Sequence, residues 1–288
     1  MRTVTLTKPS EFAAAWSEQY DRLAWTFADM LGKKVRVTAE IGCGDGQLTI
    51  PLAKRASNLQ FVLVDRFANT VHGSYSRNYR SLRSNLKKMK LMKRARIVVS
   101  DYSRWIATQD DETYDAVISS EFLPEIDSAE TKQFIRECYR LLRPRGVAVH
   151  SFLSPVPRNI RQKFLIIADS NPVWTNTPPK EWFSPKPKLV IKELRESGFH
   201  RIRRKVIRSN LVIKADAARS LLKRWEIKDS FFKAHEESLN TRGFEIPDWV
   251  IISAVKSQRV GWNMLGHNFS CRLKRWEKTR QVNVGQKA

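Results

Sequence analysis

The chain has 288 residues, 42% of them hydrophobic, and 52 Lys and Arg against 29 Asp and Glu, a formal net charge of +23. That length can bury a full core in one large domain, or in one domain with insertions, and no run of about 18 or more apolar residues marks a membrane span. Three cysteines, Cys43, Cys138 and Cys271, show no C-x-x-C spacing and fit neither a disulfide framework nor a zinc site. With no apolar signal stretch after Met1, a reducing, cytoplasmic setting is expected.

In chain order, Phe12, Trp16, Tyr20, Leu23, Phe27 and Leu31 recur at steps of three and four, so Ser10 to Leu31 is predicted as an amphipathic helix. A β-rich run, Val35 to Ala39, then enters Glu40-Ile41-Gly42-Cys43-Gly44-Asp45-Gly46. The segment Gln47 to Arg55 reads as a helix with its single proline, Pro51, in the first turn. Strand, glycine turn and helix N-terminus form a place where a ligand touches bare backbone, since a Cβ would block both the turn and the approach. A dinucleotide loop of the G-x-G-x-x-G kind would put its third glycine at position 47, which is Gln47; here it is Gly46. A second buried strand, Leu59 to Val64, ends at Asp65, and an acid there can accept hydrogen bonds from both hydroxyls of a ribose.

Further strands are predicted at Ala95–Ser100, which leads to Asp101 and Tyr102, at Tyr114–Glu121, and at Val147–Leu153. Between the last two lies a helix, Thr131 to Leu142, and the turn Leu142-Arg143-Pro144-Arg145-Gly146. Residues 154–187 hold seven of the twelve prolines and read as an insertion with Trp174 and Trp182, either a cap facing a substrate or a plain excursion. Leu189 to Phe199 reads as a helix stopped by Gly198, Arg201 to Ile213 as one long strand, Ala215 to Leu239 as helix, and Trp249 to Val255 as the last strand. Residues 257–288 are polar and basic, with Trp262, Phe269 and Trp276.

The pattern E-x-G-x-G-x-G at Glu40–Gly46, with Asp65 and the fourth strand Tyr114–Glu121 that runs into the strand-four loop Ser119–Asp127, resembles the class I S-adenosylmethionine (SAM) methyltransferases. The resemblance covers residues 35–155 well and 186–256 more loosely. It implies an α/β fold: a doubly wound, mostly parallel seven-stranded sheet with helices on both faces and strand 7 antiparallel. It also implies domains at 1–32 (an N-terminal helical cap), 33–256 (the SAM-binding domain, with insertions at 154–187 and 215–247) and 257–288 (a basic appendage). The cofactor it implies is SAM, held by Glu40, Gly42, Cys43, Gly44, Gly46, Asp65, Arg66, Asp101, Tyr102 and Ser119, with Trp16 and Tyr20 at the rim. One departure is Arg145, where the family usually has a glycine.

Methyl transfer needs an aligned nucleophile and, for some acceptors, removal of its proton, so a carboxylate or histidine near the strand-four loop is sought. Glu121 is the first candidate and His150 the second, although a histidine on an apolar strand also reads as a core residue. Glu121 with Glu130 resembles the paired glutamates of protein arginine methyltransferases, whereas acids at a helix start are common for other reasons. No metal site is expected.

Charge is uneven: residues 51–100 carry +11 and 101–150 carry −4. Arg77 to Arg96 contain nine basic residues and no acid; Arg201–Arg208 form a second cluster and the tail at 272–280 a third. Solvated faces and an anionic partner, RNA above all, both fit such clusters. The expected activity is therefore methyl transfer from SAM to an acceptor inclined toward RNA or another anionic macromolecule. A small molecule, a protein, or a non-catalytic nucleic-acid-binding role are the alternatives.

Overall fold

A computed structural model describes residues 3–67, 75–170, 185–224 and 227–258. The chain runs through β1 (Val4–Leu6), α1 (Pro9–Leu31), β2 (Val37–Ile41), α2 (Thr49–Arg55), β3 (Gln60–Asp65), α3 (Tyr75–Lys88), β4 (Ala95–Val99) and α4 (Tyr102–Ala107). It continues with β5 (Tyr114–Ser120), α5 (Ser128–Leu141), β6 (Leu142–Leu153), α6 (Ile160–Ser170) and α7 (Pro187–Glu196). The C-terminal part holds β7 (Phe199–Ile207), β8 (Leu211–Ile213), α8 (Ala215–Arg224), α9 (Asp229–Thr241), β9 (Phe244–Glu245) and β10 (Trp249–Lys256).

Seven strands form the main sheet in the order β4-β3-β2-β5-β6-β10-β7, and β10 runs antiparallel to both neighbours while the other pairings are parallel. This is the doubly wound, mostly parallel sheet expected above. The order reverses between β2 and β5, where an open α/β sheet leaves a crevice at the carboxyl ends of its strands. Side chains alternate across the strands, so two cores form. Leu23, Phe27, Leu52, Leu82 and Leu86, from α1, α2 and α3, cover one face with Leu63 and Ile118. Trp105, Phe134, Ile135 and Leu194, from α4, α5 and α7, cover the other with Ile41 and Val117.

The glycine loop follows β2 directly. Gly42, Gly44 and Gly46 all have positive φ (73°, 51° and 88°), a region that costs an L-residue roughly 1–2 kcal/mol. Arg145 takes φ 66°, so the turn keeps the shape that glycine usually serves even though an arginine stands there. The following Gly146 has no such φ, but a Cβ would lie 2.8 Å from the Arg143 carbonyl oxygen.

A small second sheet was not expected. It has the order β1-β8-β9, with β1 parallel to β8 and β8 antiparallel to β9. The predicted strand Arg201–Ile213 is therefore two strands in two sheets, parted at Ser209 and Asn210, and the helix Ala215–Leu239 is likewise two, α8 and α9. Leu6, Leu165, Leu222, Phe231 and Phe244 form a third core from β1, α6, α8, α9 and β9. This third core is thus assembled from three separated stretches of chain. A buried polar cluster ties it to the main sheet: Gln162 Nε2 donates to Asp248 Oδ1 (2.9 Å), Ser209 N donates to Asp248 Oδ1 (3.0 Å), and Arg158 ion-pairs with Glu245 and Asp248. Among the described residues no helix is long and apolar enough to cross a membrane. Trp174, Trp182, Trp262, Phe269, Trp276, the 272–280 cluster and the Arg77 side chain lie outside the described residues.

Candidate functional site

Asp65, the last residue of β3, reaches across to the glycine loop. Its Oδ2 accepts from Gly44 N at 2.9 Å and its Oδ1 from Phe67 N at 2.6 Å, so the carboxylate and the loop hold one another in place. Gly42 N donates to the Val64 carbonyl at 2.8 Å, which pins the loop to the end of β3. A Cβ on Gly44 would meet nothing within 4 Å among the described residues, whereas one on Gly42 would lie 2.9 Å from Phe122 Cδ2. The loop therefore presents backbone at Gly44 toward open space and is packed from behind at Gly42.

Glu40 is buried beneath this loop at 1% exposure and accepts a 2.7 Å hydrogen bond from Thr49 Oγ1, joining β2 to the start of α2. Burial pushes its carboxyl up to about 8, against the lowering effect of that bond. Cys43 is buried, and its thiol is pushed well up by the same desolvation. Asp45 is raised in the same direction by burial.

The N-terminal helix meets the loop. Trp16 Nε1 donates to Gln47 Oε1 at 3.0 Å, and the Trp16 ring lies 5.8 Å from Tyr20 and 5.9 Å from Trp249. The Tyr20 phenol bonds Ser120; burial, followed by the charge of Glu121, pushes it up. Ser151 Oγ donates to Ser120 Oγ at 3.0 Å, extending this chain of hydroxyls under α1.

Glu121 stands at the end of β5 with φ 56°, an unusual backbone for a non-glycine residue. Two ladder-like contacts hold it there: its N donates to the Ser151 carbonyl at 2.9 Å, and its Oε1 accepts from Leu153 N at 2.7 Å. Burial raises the carboxyl to about 8. Tyr20, Ser120, Glu121 and Ser151 thus gather at the carboxyl ends of β5 and β6.

Other predicted residues fall elsewhere. Ser119 and His150 are fully buried and share a 2.8 Å hydrogen bond; the His150 ring lies 5.5 Å from Phe134, a residue of the α5-covered core. Desolvation lowers His150 to about 4 and keeps it neutral. Alternation along β5 puts Ser119 on the face away from Ser120, so these two residues sit in the core rather than beside Tyr20. Asp101 caps α4, its Oδ1 accepting from Ser103 N (2.9 Å) and Ser103 Oγ (2.7 Å), and the hydroxyl bond lowers its carboxyl most. Tyr102 packs edge-on to Phe122 at 5.0 Å, the same ring that backs Gly42; burial pushes its phenol up to about 12. Arg66 is exposed, near enough to Asp101 to help hold that carboxyl down. Glu130 completes a capping box: its Oε2 accepts from Asp127 N (3.1 Å) while its own N donates to Asp127 Oδ1 (2.8 Å). That role gives Glu130 a structural reason for standing at the start of α5.

Sequence reasoning missed Phe67, Gln47, Thr49 and Phe122. A signal existed for Phe122 alone, which follows Glu121 in the strand-four loop.

Residues 39–146 match the family described as a methyltransferase domain. The fold is shared with a SAM-dependent methyltransferase from Archaeoglobus fulgidus: 18% identity, TM-score 0.53, 83% of this chain and 94% of that one covered. It is shared also with an O-methyltransferase family protein from Burkholderia thailandensis, at 13% identity and TM-score 0.53, covering 88% of this chain and 64% of that one. A Haemonchus contortus phosphoethanolamine N-methyltransferase, solved with phosphomonomethylethanolamine and S-adenosylhomocysteine, gives 14% identity and TM-score 0.53, with 85% of this chain and 57% of that one covered. No curated protein matches the chain in sequence. Residues 39–146 thus match a methyltransferase domain, and the sheet has the fold of the class I SAM-dependent methyltransferases. The cofactor of this enzyme class is S-adenosylmethionine, and the open backbone at Gly44 beside Asp65 fits it, because a Cβ there would fill the space it needs.

Proposed function

We propose that this protein moves the methyl group of SAM onto a nucleophile that enters beside Glu121, under the N-terminal helix. The observation that carries this reading is the juxtaposition, at the carboxyl ends of adjacent strands, of a glycine loop braced by Asp65 and the half-buried Glu121 carboxyl braced by Leu153 N. Gly44 and Asp65 would hold the nucleoside part, with Asp65 accepting from ribose hydroxyls through the lone pairs that Gly44 N and Phe67 N leave open. When bound, SAM supplies an electrophilic methyl on a sulfonium.

The chain's own residues then align the acceptor and manage its proton. Burial keeps Glu121 protonated at neutral pH, where it donates a hydrogen bond; ionised above about pH 8, it accepts the proton that the acceptor gives up. Tyr20 closes the acceptor side from α1. The proposal gives His150 and Ser119 no contact with the acceptor, since both are enclosed in the opposite core.

An acceptor carried on RNA or another polyanion is a second reading. The observation that favours it is the row of exposed cations on α3, Arg80, Arg83, Lys87 and Lys88, none of which has a carboxylate partner among the described residues. The test is calorimetry with S-adenosylhomocysteine, followed by incubation of labelled SAM with cell extract split into metabolite, RNA and protein fractions. Binding, with label entering one fraction and falling about a hundredfold or more in Glu121→Gln, is expected. Absence of S-adenosylhomocysteine binding refutes the proposal.

A further inference from the structure

The nine basic residues of 77–96 do not behave alike once folded. Arg94 is turned inward: its guanidinium donates to the carbonyls of Leu59 (3.0 Å), Ala53 (3.1 Å) and Ala56 (2.6 Å), closing the C-terminal end of α2. Arg96 leaves β4 on the opposite face from Ala95 and Ile97, which pack toward α3. Six cations remain together and exposed: Arg80, Arg83, Lys87 and Lys88 on α3, and Lys90 and Lys93 on the turn after it. Not one has an ion pair among the described residues.

Structural reasons explain part of this pattern. Cations in the last turn of a helix favour its dipole, which covers Lys87 and Lys88. They do not cover Arg80 and Arg83, which lie further back on the same side of α3, beside the inward-facing Leu82 and Leu86. Lys90 is harder still to explain as packing. The end of α3 is closed by bonds from Leu91 N to the Leu86 carbonyl (2.8 Å) and from Lys90 N to that of Lys87 (3.0 Å), and Lys90 takes φ 57°. Glycine is the usual residue at that position, and lysine costs backbone strain there. A shallow cleft lined by Gln60, Met92, Lys93 and Arg96 continues the surface onto the sheet edge.

The second cluster differs. Arg203, Arg204, Lys205 and Arg208 lie on or just past β7, the opposite edge of the same sheet, and Lys205 is paired with Asp29 at 2.7 Å. Six strand spacings of roughly 4.8 Å separate the two edges, so they do not form one surface.

We propose that the α3 face, from Arg80 to Lys93, is a docking surface for the phosphate backbone of RNA. Among the described side chains of α3 the one aromatic, Tyr79, is partly buried edge-on against Phe67, which leaves charge without stacking, and binding independent of base sequence follows. The inference holds whether RNA carries the methyl acceptor or only anchors the enzyme.

The experiment is a salt titration of a labelled 20-mer oligouridylate binding to the full chain. With about four phosphates contacted, log K should fall with log salt at a slope of about −3. In Lys87→Gln/Lys88→Gln/Lys90→Gly the slope should lose about 2 of those 3 units, with no drop in Tm, because glycine relieves the strain at position 90. Arg203→Gln/Arg204→Gln/Arg208→Gln removes equal charge from the other edge and should leave the slope intact. Equal losses in both variants would mean bulk charge attraction and overturn the proposal. Polyglutamate binding as tightly as oligouridylate overturns the nucleic-acid assignment, and oligothymidylate in parallel separates RNA from single-stranded DNA. S-adenosylhomocysteine affinity should stay the same in both variants. Its absence from the wild type would refute the methyl-transfer reading while leaving the RNA result standing.

Discussion

Two alanine substitutions two residues apart should fail in different ways, because the glycine loop faces open space at one residue and a side chain at the other. Gly44 has φ 51° and open space where a Cβ would point; Gly42 has φ 73° and Phe122 at 2.9 Å from that point. Both carry the left-handed backbone penalty of about 1–2 kcal/mol, offset by roughly 0.4–1 kcal/mol lost from the unfolded chain's freedom. Gly44→Ala should therefore cost about 0.5–1 kcal/mol. In Gly42→Ala the contact with Phe122 adds an overpacking cost of about 1–3 kcal/mol. At 2–4 °C per kcal/mol for a domain of this size, Gly44→Ala should lower Tm by about 1–4 °C and Gly42→Ala by roughly 5–15 °C. Affinity should rank the other way. Gly44→Ala places a methyl where the nucleoside lies and should weaken S-adenosylhomocysteine binding tenfold or more, about 1.4 kcal/mol. The assay is a thermal melt with calorimetry on each variant, plus Gly42→Ala/Phe122→Ala, which should recover part of the lost Tm. Unchanged affinity in Gly44→Ala would refute the argument that the bare backbone at this position serves the cofactor.

The buried carboxyls set a pH dependence of stability. Glu40 and Glu121 both rise from 4.5 to about 8 on folding, so the folded state holds protons that the unfolded state releases between those values, and stability should fall as pH climbs from about 4.5 to 8. Thermal melts across that range should show the decline, and Glu40→Gln, which keeps an acceptor for Thr49, should flatten it; a rise with pH would contradict the assignment. Arg94→Lys should destabilise by about 2 kcal/mol in urea titrations, because an ammonium cannot span the three carbonyls that the guanidinium bonds. Trp16→Phe removes the bond to Gln47 and should weaken S-adenosylhomocysteine binding about fivefold, close to 1 kcal/mol, with little change in Tm.

The parts of this protein that were legible in its sequence are those where local pattern and global place agree. The glycine loop, Asp65 and the strand rhythm of residues 35–155 each state their role within a few residues. Ser209 and Asn210 break the predicted strand without a glycine or proline, and the break exists because Leu211 to Ile213 pair with Val4 to Leu6, a partner no local window contains. Ser119 and His150 show a different limit: alternation tells which residues share a face, but which face turns toward α1 and which toward α5 depends on packing that no local window contains. Glu130 illustrates a third case. An acid near a candidate site satisfied a helix end instead, and Asp127 three residues earlier was the cue. Arg145 kept the glycine-type turn, so the unusual letter in the motif changed the strain and not the path.

The parallel pairing of β1 with β8 joins stretches about two hundred residues apart. During synthesis the strand emerges among the first segments and waits for its partner until most of the protein has left the ribosome. Trp16 and Tyr20 ride on the helix that this late closure anchors. A nascent chain can therefore complete its glycine loop early, yet the strand that precedes the Trp16–Tyr20 helix finds its partner only near the end of translation.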